Sequence, residues 1–306
     1  MTQSKQFDIL GWVILFVLGG VWGSSFILMK IGSRGLSTME ISAIRNTTAG
    51  LLLLPYYVVL LKKMDRSLWK WIVTAALLGS GIPSIFYAYS SKYIDSNING
   101  VINSLTPIFT LIVGIVWLKT KTSRWSLLGL LVGFAGVFIL LASRGFNTKN
   151  LTIAFLPFIS TLFYGINVNL IKEKLSHLSS IDILTSVFGT LCLMSIPVLF
   201  YYQTWHNIHL SDVSFQFWIK STDVVIQKNL SLIAVMLLGL VGTSLASLLF
   251  YYLLRRTSAL FASMNTYLIP LMSIFWGKMD GEPIGWMQFF SLFLILVGVY
   301  LVSKKK

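Results

Sequence analysis

Residues 127–142 read LLGLLVGFAGVFILLA, an uncharged stretch in which apolar and polar positions do not alternate. A membrane-spanning β-strand alternates apolar and polar side chains over segments of about 10 residues. A helix satisfies its own backbone hydrogen bonds, so it tolerates an unbroken apolar run in lipid. The stretch therefore predicts a membrane helix.

Similar apolar runs occur on both sides of this stretch, in a chain of 306 residues that is 56% hydrophobic and only 11% charged. Soluble domains carry roughly a quarter charged residues, and ten spans of about 20 residues each would take up about 200 positions. We therefore predict an all-α integral membrane protein with ten transmembrane helices and no separate soluble domain. The predicted helices lie at about 9–29, 41–61, 71–91, 97–118, 125–142, 151–171, 181–202, 230–253, 259–277 and 285–302.

The net charge of +14 has a simple explanation in this topology. If both termini are on one side of the membrane, that side holds fifteen Lys and Arg residues and the other holds eight. Cytoplasmic loops are enriched in Lys and Arg, so we predict a multi-pass protein of the plasma (inner) membrane with both termini cytoplasmic. The excess of Lys and Arg over Asp and Glu then gives no reason to expect a nucleic-acid partner.

The segment 22–40 recurs as 164–182, an offset of 142 residues. In each copy an aromatic residue and a glycine are followed at the same spacing by a lysine and then by an acidic residue. A second match relates Lys92–Pro107 to Arg255–Pro270 at an offset of 163. Since each half contains an odd number of helices, we expect two inverted five-helix repeats, residues 1–146 and 147–306. Many secondary transporters are built in this way.

Further motifs follow in order: Trp22-Gly23-Ser24-Ser25-Phe26, Arg45 with Ala49, Pro107 with Gly129 and Gly136, Pro270, and Asp280-Gly281-Glu282-Pro283. Together they resemble the drug/metabolite transporter superfamily, specifically its EamA-like ten-helix members, over nearly the whole chain. The resemblance implies an exporter or exchanger of small metabolites whose central cavity is lined by helices one, three, four, six, eight and nine. The first-half turn at 118–122 departs from the family pattern, because it reads LKTKT and lacks the usual acidic residue.

Pro107 and Pro270 are predicted to break helices four and nine at matching positions. A proline inside a helix removes one backbone hydrogen bond, so we expect free carbonyls at Asn103 and Thr266. Polar and aromatic side chains surround both breaks, namely Asn99, Asn103, Asn265 and Tyr267. We interpret them as cavity-lining, although such groups also hold membrane helices together.

Helices one, three, six and eight supply the remaining uncharged candidates. Trp22 and Tyr164 are repeat mates, which predicts that they close over a ligand or, alternatively, pack as ordinary aromatic residues. The further candidates are Ser25, Tyr87, Asn167, Ser247 and Tyr251. The predicted cavity is mildly polar and aromatic, which suits an amphipathic or zwitterionic solute.

Arg45 lies within the second predicted helix, where an ionisable residue is costly and is a functional candidate by default. Two roles stay open. Arg45 either anchors the helix by reaching the interface or Glu40, or it contributes to substrate binding or gating. Carboxylates in the predicted spans lie near helix ends, so Asp95 and Glu40 are the nearest candidates for a proton carrier.

The sequence contains no Walker motif and no His-Glu-x-x-His motif, and we predict no catalytic residues, no cofactor and no metal site. His206 and His209 together with Asp212 imitate a metal cluster, but their loop is not predicted to be helical and does not fix a third strong ligand in space. The predicted function is a secondary transporter, exporter or exchanger, of small organic metabolites such as amino acids, working by alternating access as a monomer or homodimer. A membrane-embedded enzyme, or a non-transporting receptor or structural subunit, remains the alternative.

Overall fold

The computed structural model describes residues 9–120, 123–143, 148–202, 224–282 and 285–303, and within these ranges every regular element is a helix. The first half contains α1 (Ile9–Gly35), α2 (Thr38–Leu51), α3 (Leu54–Lys63), α4 (Arg66–Ala76), α5 (Ile82–Ser90), α6 (Ser96–Asn103), α7 (Thr106–Val116) and α8 (Arg124–Ser143). The second half contains α9 (Thr148–Leu170), α10 (Ser180–Tyr201), α11 (Val224–Leu237), α12 (Ala246–Arg256), α13 (Ala259–Ser263), α14 (Ile269–Met279) and α15 (Trp286–Ser303). Three π-helical turns continue these helices, at Leu77–Gly81, Ile171–Leu175 and Leu238–Leu245.

The acidic residues of the repeated segment begin equivalent helices. Glu40 and Ser37 form a capping box at the start of α2, in which each side chain accepts a hydrogen bond from the other residue's backbone N–H. At the start of α10 the Ser179 side chain accepts from the backbone N–H of Asp182. Such caps satisfy the free N–H groups of the first helical turn. The repeat is therefore visible in local structure as well as in sequence.

Seven continuous helical stretches in the described residues are long and apolar enough to cross a membrane, or eight if α2 and α3, bent by 72°, form one span. Two shorter apolar helices, Arg124–Gly136 and Trp286–Gly298, lie within α8 and α15. Large apolar side chains cover the outside; Phe16, Leu131 and Phe293 are each at least 60% exposed. A water-soluble surface rarely carries such patches. The all-α membrane fold is confirmed, while the count of ten spans stays a prediction.

Equivalent helices of the two halves pack against each other in opposite directions, and α8 with α15 shows this most clearly. A β-carbon added at Gly136 would meet the carbonyl oxygen of Ser291 at 2.8 Å, and one added at Gly298 would meet that of Gly129 at 2.6 Å. Later residues of one helix thus face earlier residues of the other. Glycine at these positions permits backbone contact between the helices.

Helices α2 and α3 also run antiparallel to their equivalent, α10. Gly50 packs against Cys192, while the hydroxyl of Tyr56, further along, donates to Asp182 Oδ1 at 2.7 Å. Because both pairs of equivalent helices are antiparallel, the two halves have opposite orientations, as the repeat predicts. The boundary between residues 146 and 147 stays a prediction.

The remaining packing between the halves is also reciprocal. Helix α1 packs against α14 and α12, and its equivalent α9 packs against their repeat mates α7 and α5. In each half, therefore, the first helix packs against the broken helices of the other half. This arrangement places a shared space between the halves, and that space contains the candidate site.

Candidate functional site

A cavity lies between the two halves. Its atom-free volume is about 840 Å³, including the part that is open to solvent. The lining consists of Trp22, Ser25, Phe26, Met29, Arg45, Gly79, Ser80, Tyr87, Asn103, Thr106, Tyr164, Asn167, Val168, Phe188, Gly242, Thr243, Ser247, Phe250, Tyr251, Ser263, Asn265 and Thr266. Apart from Arg45, these residues are uncharged.

The cavity lining follows the internal repeat. Equivalent positions from the two halves face the same space, related by the same offsets as the sequence motifs. At an offset of 142 they are Trp22 and Tyr164, Ser25 and Asn167, and Phe26 and Val168; at 163 they are Gly79 and Gly242, Ser80 and Thr243, Tyr87 and Phe250, and Asn103 and Thr266. The two halves therefore build the site together.

Two equivalent π-helical turns border the cavity, Leu77–Gly81 and Leu238–Leu245. Such turns are frequent at functional sites and shift the hydrogen-bond pattern of the helix. The backbone carbonyl of Gly242 accepts a hydrogen bond of 2.8 Å from the Trp22 indole N–H. This bond joins α1 to the opposite half at the edge of the cavity.

The two prolines lie at helix breaks, but not in helix interiors. Pro107 is the second residue of α7 and Pro270 the second of α14, where a missing N–H costs little. The expectation of a free carbonyl at Asn103 is wrong, because the Thr106 hydroxyl donates to it at 2.7 Å. Asn103 borders the cavity through its side chain instead, while neither proline is part of the lining.

Ten of the predicted cavity residues line this space, and two do not. The lining ones are Trp22, Ser25, Arg45, Tyr87, Asn103, Tyr164, Asn167, Ser247, Tyr251 and Asn265. Asn99 lies outside it, where its amide accepts from the Ser90 hydroxyl at 3.0 Å and joins α6 to α5. Tyr267 belongs to the apolar core and is 2% exposed.

The aromatic repeat mates do not stack on each other. The ring of Tyr164 stacks on Tyr87, with centroids 6.2 Å apart and an interplanar angle of 10°. Trp22 packs at a tilt against Phe250, 5.3 Å away. Each pair joins the two halves, so the aromatic side of the cavity is assembled from both.

Arg45 is buried in the cavity wall, 9% exposed. Its Nε donates to Thr243 Oγ1 at 2.8 Å, which ties α2 to the opposite half. The expected pairing with Glu40 does not form, since Glu40 closes the capping box with Ser37. Neither of the proposed proton carriers, Glu40 and Asp95, borders the cavity.

Several polar groups of the lining have no hydrogen-bond partner among the described residues. Both amide atoms of Asn265, the amide oxygen of Asn167 and the hydroxyl of Tyr87 are enclosed and unpaired. A buried unpaired polar group costs about 1–3 kcal/mol.

Thr243, which holds Arg45, was not among the sequence candidates, because its role depends on a residue 198 positions away.

An ion cluster lies at the carboxyl end of α1, and we name it the Lys30 latch. Lys30 Nζ lies 2.9 Å from Asp280 Oδ2 and 2.7 Å from Glu282 Oε1, and Arg34 pairs with Asp280 at 2.5 Å. Burial raises the pKa of Asp280, but the hydrogen bonds from Lys30 and Arg34 outweigh burial and hold it below its ordinary value. The latch joins α1 to the segment that follows α14.

Glu282 also caps a helix of the opposite half. Its carboxylate accepts from the backbone N–H and the hydroxyl of Ser96, at 2.9 and 2.8 Å, and from the N–H of Asn97 at 3.3 Å. A negative charge at a helix N-terminus is favourable. Glu282 therefore holds α1, α6 and the end of α14 together.

The equivalent contact in the other half, which we name the Lys172 latch, contains no carboxylate from the residues that the structure describes. Lys172 Nζ donates to the carbonyl oxygens of Leu254 and Thr257 at 2.8 and 2.7 Å, at the carboxyl end of α12. A helix carboxyl end carries partial negative charge and attracts a cation. Because the halves are inverted, the two latches lie at opposite ends of the molecule.

Some sequence candidates fall outside the described residues. These are His206, His209 and Asp212, together with Pro283 of the acidic turn. Besides the indole of Trp22, the polar side-chain groups of the lining are amides, hydroxyls and one guanidinium.

Comparison with known proteins places this architecture in a family. The model of the EamA-like transporter family matches the chain twice, over residues 10–142 and 151–304. An uncharacterized transporter of Archaeoglobus fulgidus is 27% identical over 300 residues, covering 96% of this chain and 99% of its own length. The uncharacterized inner membrane transporter YedA of Escherichia coli K12 is 24% identical, covering 95% and 90%.

A solved crystal structure has the same fold. It matches with a TM-score of 0.66 at 14% sequence identity, covering 96% of this chain and 97% of its own. At this identity the likeness concerns the fold alone.

Proposed function

The chain belongs to the EamA-like transporter family, and we propose that it is a secondary transporter of small organic metabolites, such as amino acids, that works by alternating access. It is a multi-pass membrane protein with an internal cavity. The proposal is that this cavity is the substrate site, and that the protein is an exporter or exchanger with no enzymatic activity.

The observation that carries this proposal is the paired lining of the cavity. Repeat mates such as Trp22 and Tyr164, or Asn103 and Thr266, face the same space from opposite halves. Inverted repeats around a central site give a transporter two related conformations, each open to a different side. A receptor or structural subunit has no need of such a paired site.

The two latches support a specific form of alternating access. Lys30 binds Asp280 and Glu282 at one end, while Lys172 binds helix carbonyls at the other. Both are closed in this structure. In the proposed cycle one latch opens at a time, so that the cavity is never open to both sides.

The proposed location is the plasma (inner) membrane, with both termini in the cytoplasm. This orientation is supported by the excess of Lys and Arg on that side. The inner-membrane location is supported by the similarity to YedA of Escherichia coli, which is named an inner membrane transporter. The proposed partners are the lipid bilayer and a small-molecule substrate, without nucleic acid, and the proposed assembly is a monomer or homodimer. Labelling of a cysteine at position 65 from outside intact cells would contradict the orientation.

Solute flux into proteoliposomes tests the proposed function. A mixed pool of amino acids, nucleosides and other small metabolites is offered with and without a pH gradient. Saturable flux of one class is expected, and its response to the gradient separates coupled transport from exchange. Absence of flux for every compound, with folded protein confirmed, would overturn the proposal.

Two cavity variants connect the flux to this site. Asn103→Leu and Tyr164→Ala are expected to impair flux strongly with little loss of folded protein, because both side chains border the cavity. Tyr201→Ala is the matched control, since Tyr201 is 82% exposed on the outer surface. Normal flux in both cavity variants would show that the path lies elsewhere.

A further inference from the structure

Arg45 is a buried charge with free donors. Nε is engaged by Thr243, but the two terminal nitrogens donate to no group in the described part of the chain, although both keep accessible surface in the cavity wall. The described lining contains no Asp or Glu. The cavity wall therefore presents one positive charge that lacks a counter-charge.

The fold itself does not require this charge. The equivalent position in the second half is Val187, which is 1% exposed in the apolar core. The same helix position is thus filled by an apolar residue on one side and by a cation on the other. Since a charge within a membrane helix is costly and faces an interior or cavity, the cation at position 45 calls for an explanation beyond packing.

We infer that Arg45 binds the carboxylate of the transported solute. A guanidinium binds a carboxylate through two parallel hydrogen bonds, and here the two terminal nitrogens are free to do so. Thr243 fixes the orientation of the group by holding Nε. The inference rests on the proposed transport function and narrows its substrate class to small carboxylates, amino acids included.

The uncharged part of the lining accommodates the rest of such a solute. Asn265 and Asn167 each have an enclosed, unpaired amide oxygen, which accepts a hydrogen bond from an ammonium or hydroxyl, while the unpaired amide nitrogen of Asn265 donates one. Tyr164 and Tyr87 offer an aromatic surface. In this arrangement Arg45 binds the carboxylate of the solute, and these uncharged groups contact the rest of the solute.

Equilibrium binding to purified wild-type protein in nanodiscs tests the inference without any mutation. The probes are alanine, valine and leucine, each beside its carboxamide and its decarboxylated amine. At least one amino acid is expected to bind at least about tenfold more tightly than its amide and amine, because a hydrogen bond to a charged group is lost without the carboxylate. Equal binding of acid and amide, or no binding of any acid, overturns the inference.

Variants of Arg45 locate the effect. Arg45→Gln is expected to weaken acid binding to the level of the amide, and Arg45→Lys to restore part of it, since charge is kept and the second parallel bond is lost. Arg66→Gln, the same substitution at an exposed position, is expected to bind like wild type. Undiminished discrimination in folded Arg45→Gln contradicts the inference. Should that variant not fold, the wild-type series decides.

Flux of the same probes into proteoliposomes separates this inference from the proposed function. Carboxylate-dependent binding without flux leaves Arg45 as an anion site and contradicts transport. Flux that treats acid and amide alike leaves transport intact and contradicts the role of Arg45.

Discussion

Lys30 and Glu282 are 252 positions apart in the chain, yet Lys30 Nζ lies 2.7 Å from Glu282 Oε1. Through this contact the first helix of one half is fixed to the segment that follows α14 in the other half. The equivalent lysine, Lys172, contacts only backbone carbonyls among the groups described around it. The two ends of the molecule are therefore closed by different chemistry, although they come from equivalent segments.

Glu282→Gln is expected to destabilise the protein by about 1–3 kcal/mol, because removing one member of a largely buried ion pair leaves Lys30 without part of its compensation. The Lys30 side chain is still 23% exposed, which keeps the cost below that of a fully buried pair. Thermal unfolding in detergent measures the change. Glu173→Gln is the control, since Glu173 is exposed and 3.7 Å from Lys174; an equal effect in both variants would argue against the latch.

The Lys30 latch is expected to weaken in acid. The pKa of Asp280 is below its ordinary value, so its contribution to stability is complete above the ordinary value of about 3.9. That contribution is lost as the pH falls through the lower, folded-state pKa. Unfolding temperature measured against pH should therefore fall more steeply below about pH 4 in wild type than in Asp280→Asn. Parallel curves would contradict the prediction.

Gly298→Ala is expected to destabilise the protein by about 1–3 kcal/mol, because the new methyl group would lie 2.6 Å from the Gly129 carbonyl oxygen and force α8 and α15 apart. Gly20→Ala in α1 is the control, since nothing lies within 4 Å of its added β-carbon. This second change is expected to stabilise by about 0.5–1 kcal/mol through the better helix propensity of alanine. Both are measured by unfolding in detergent, and changes of the same sign would contradict the packing described.

Asn99→Ala and Asn103→Ala are expected to have opposite consequences, although one helical turn separates them. Asn99 accepts from Ser90 within the protein, so its loss should lower stability by about 1–2 kcal/mol and leave flux per folded molecule unchanged. Asn103 borders the cavity, so its loss should lower flux at least tenfold with a smaller effect on stability. Flux and unfolding measured on the same preparations check the prediction, and matching losses in both variants would refute it.

The sequence by itself determined the membrane fold, the internal repeat and most of the cavity residues. Hydropathy over a window of about 20 residues reflects the bilayer thickness directly. The recurring spacing of segment 22–40 reveals the repeat, and the odd number of helices predicted for each half predicts its inversion. Pro107 and Pro270 indicated the helix breaks, because proline acts on the local backbone whatever surrounds it.

Only the tertiary structure decided which polar residues meet. Asn99 and Asn103 lie one turn apart on the same helix, yet Asn99 accepts a hydrogen bond from Ser90 while Asn103 borders the cavity. The partner of Arg45 is Thr243 and not the nearby Glu40, and the partners of Lys30 lie about 250 positions away. Such contacts depend on how inverted halves pack, and short-range periodicity contains no information about that packing.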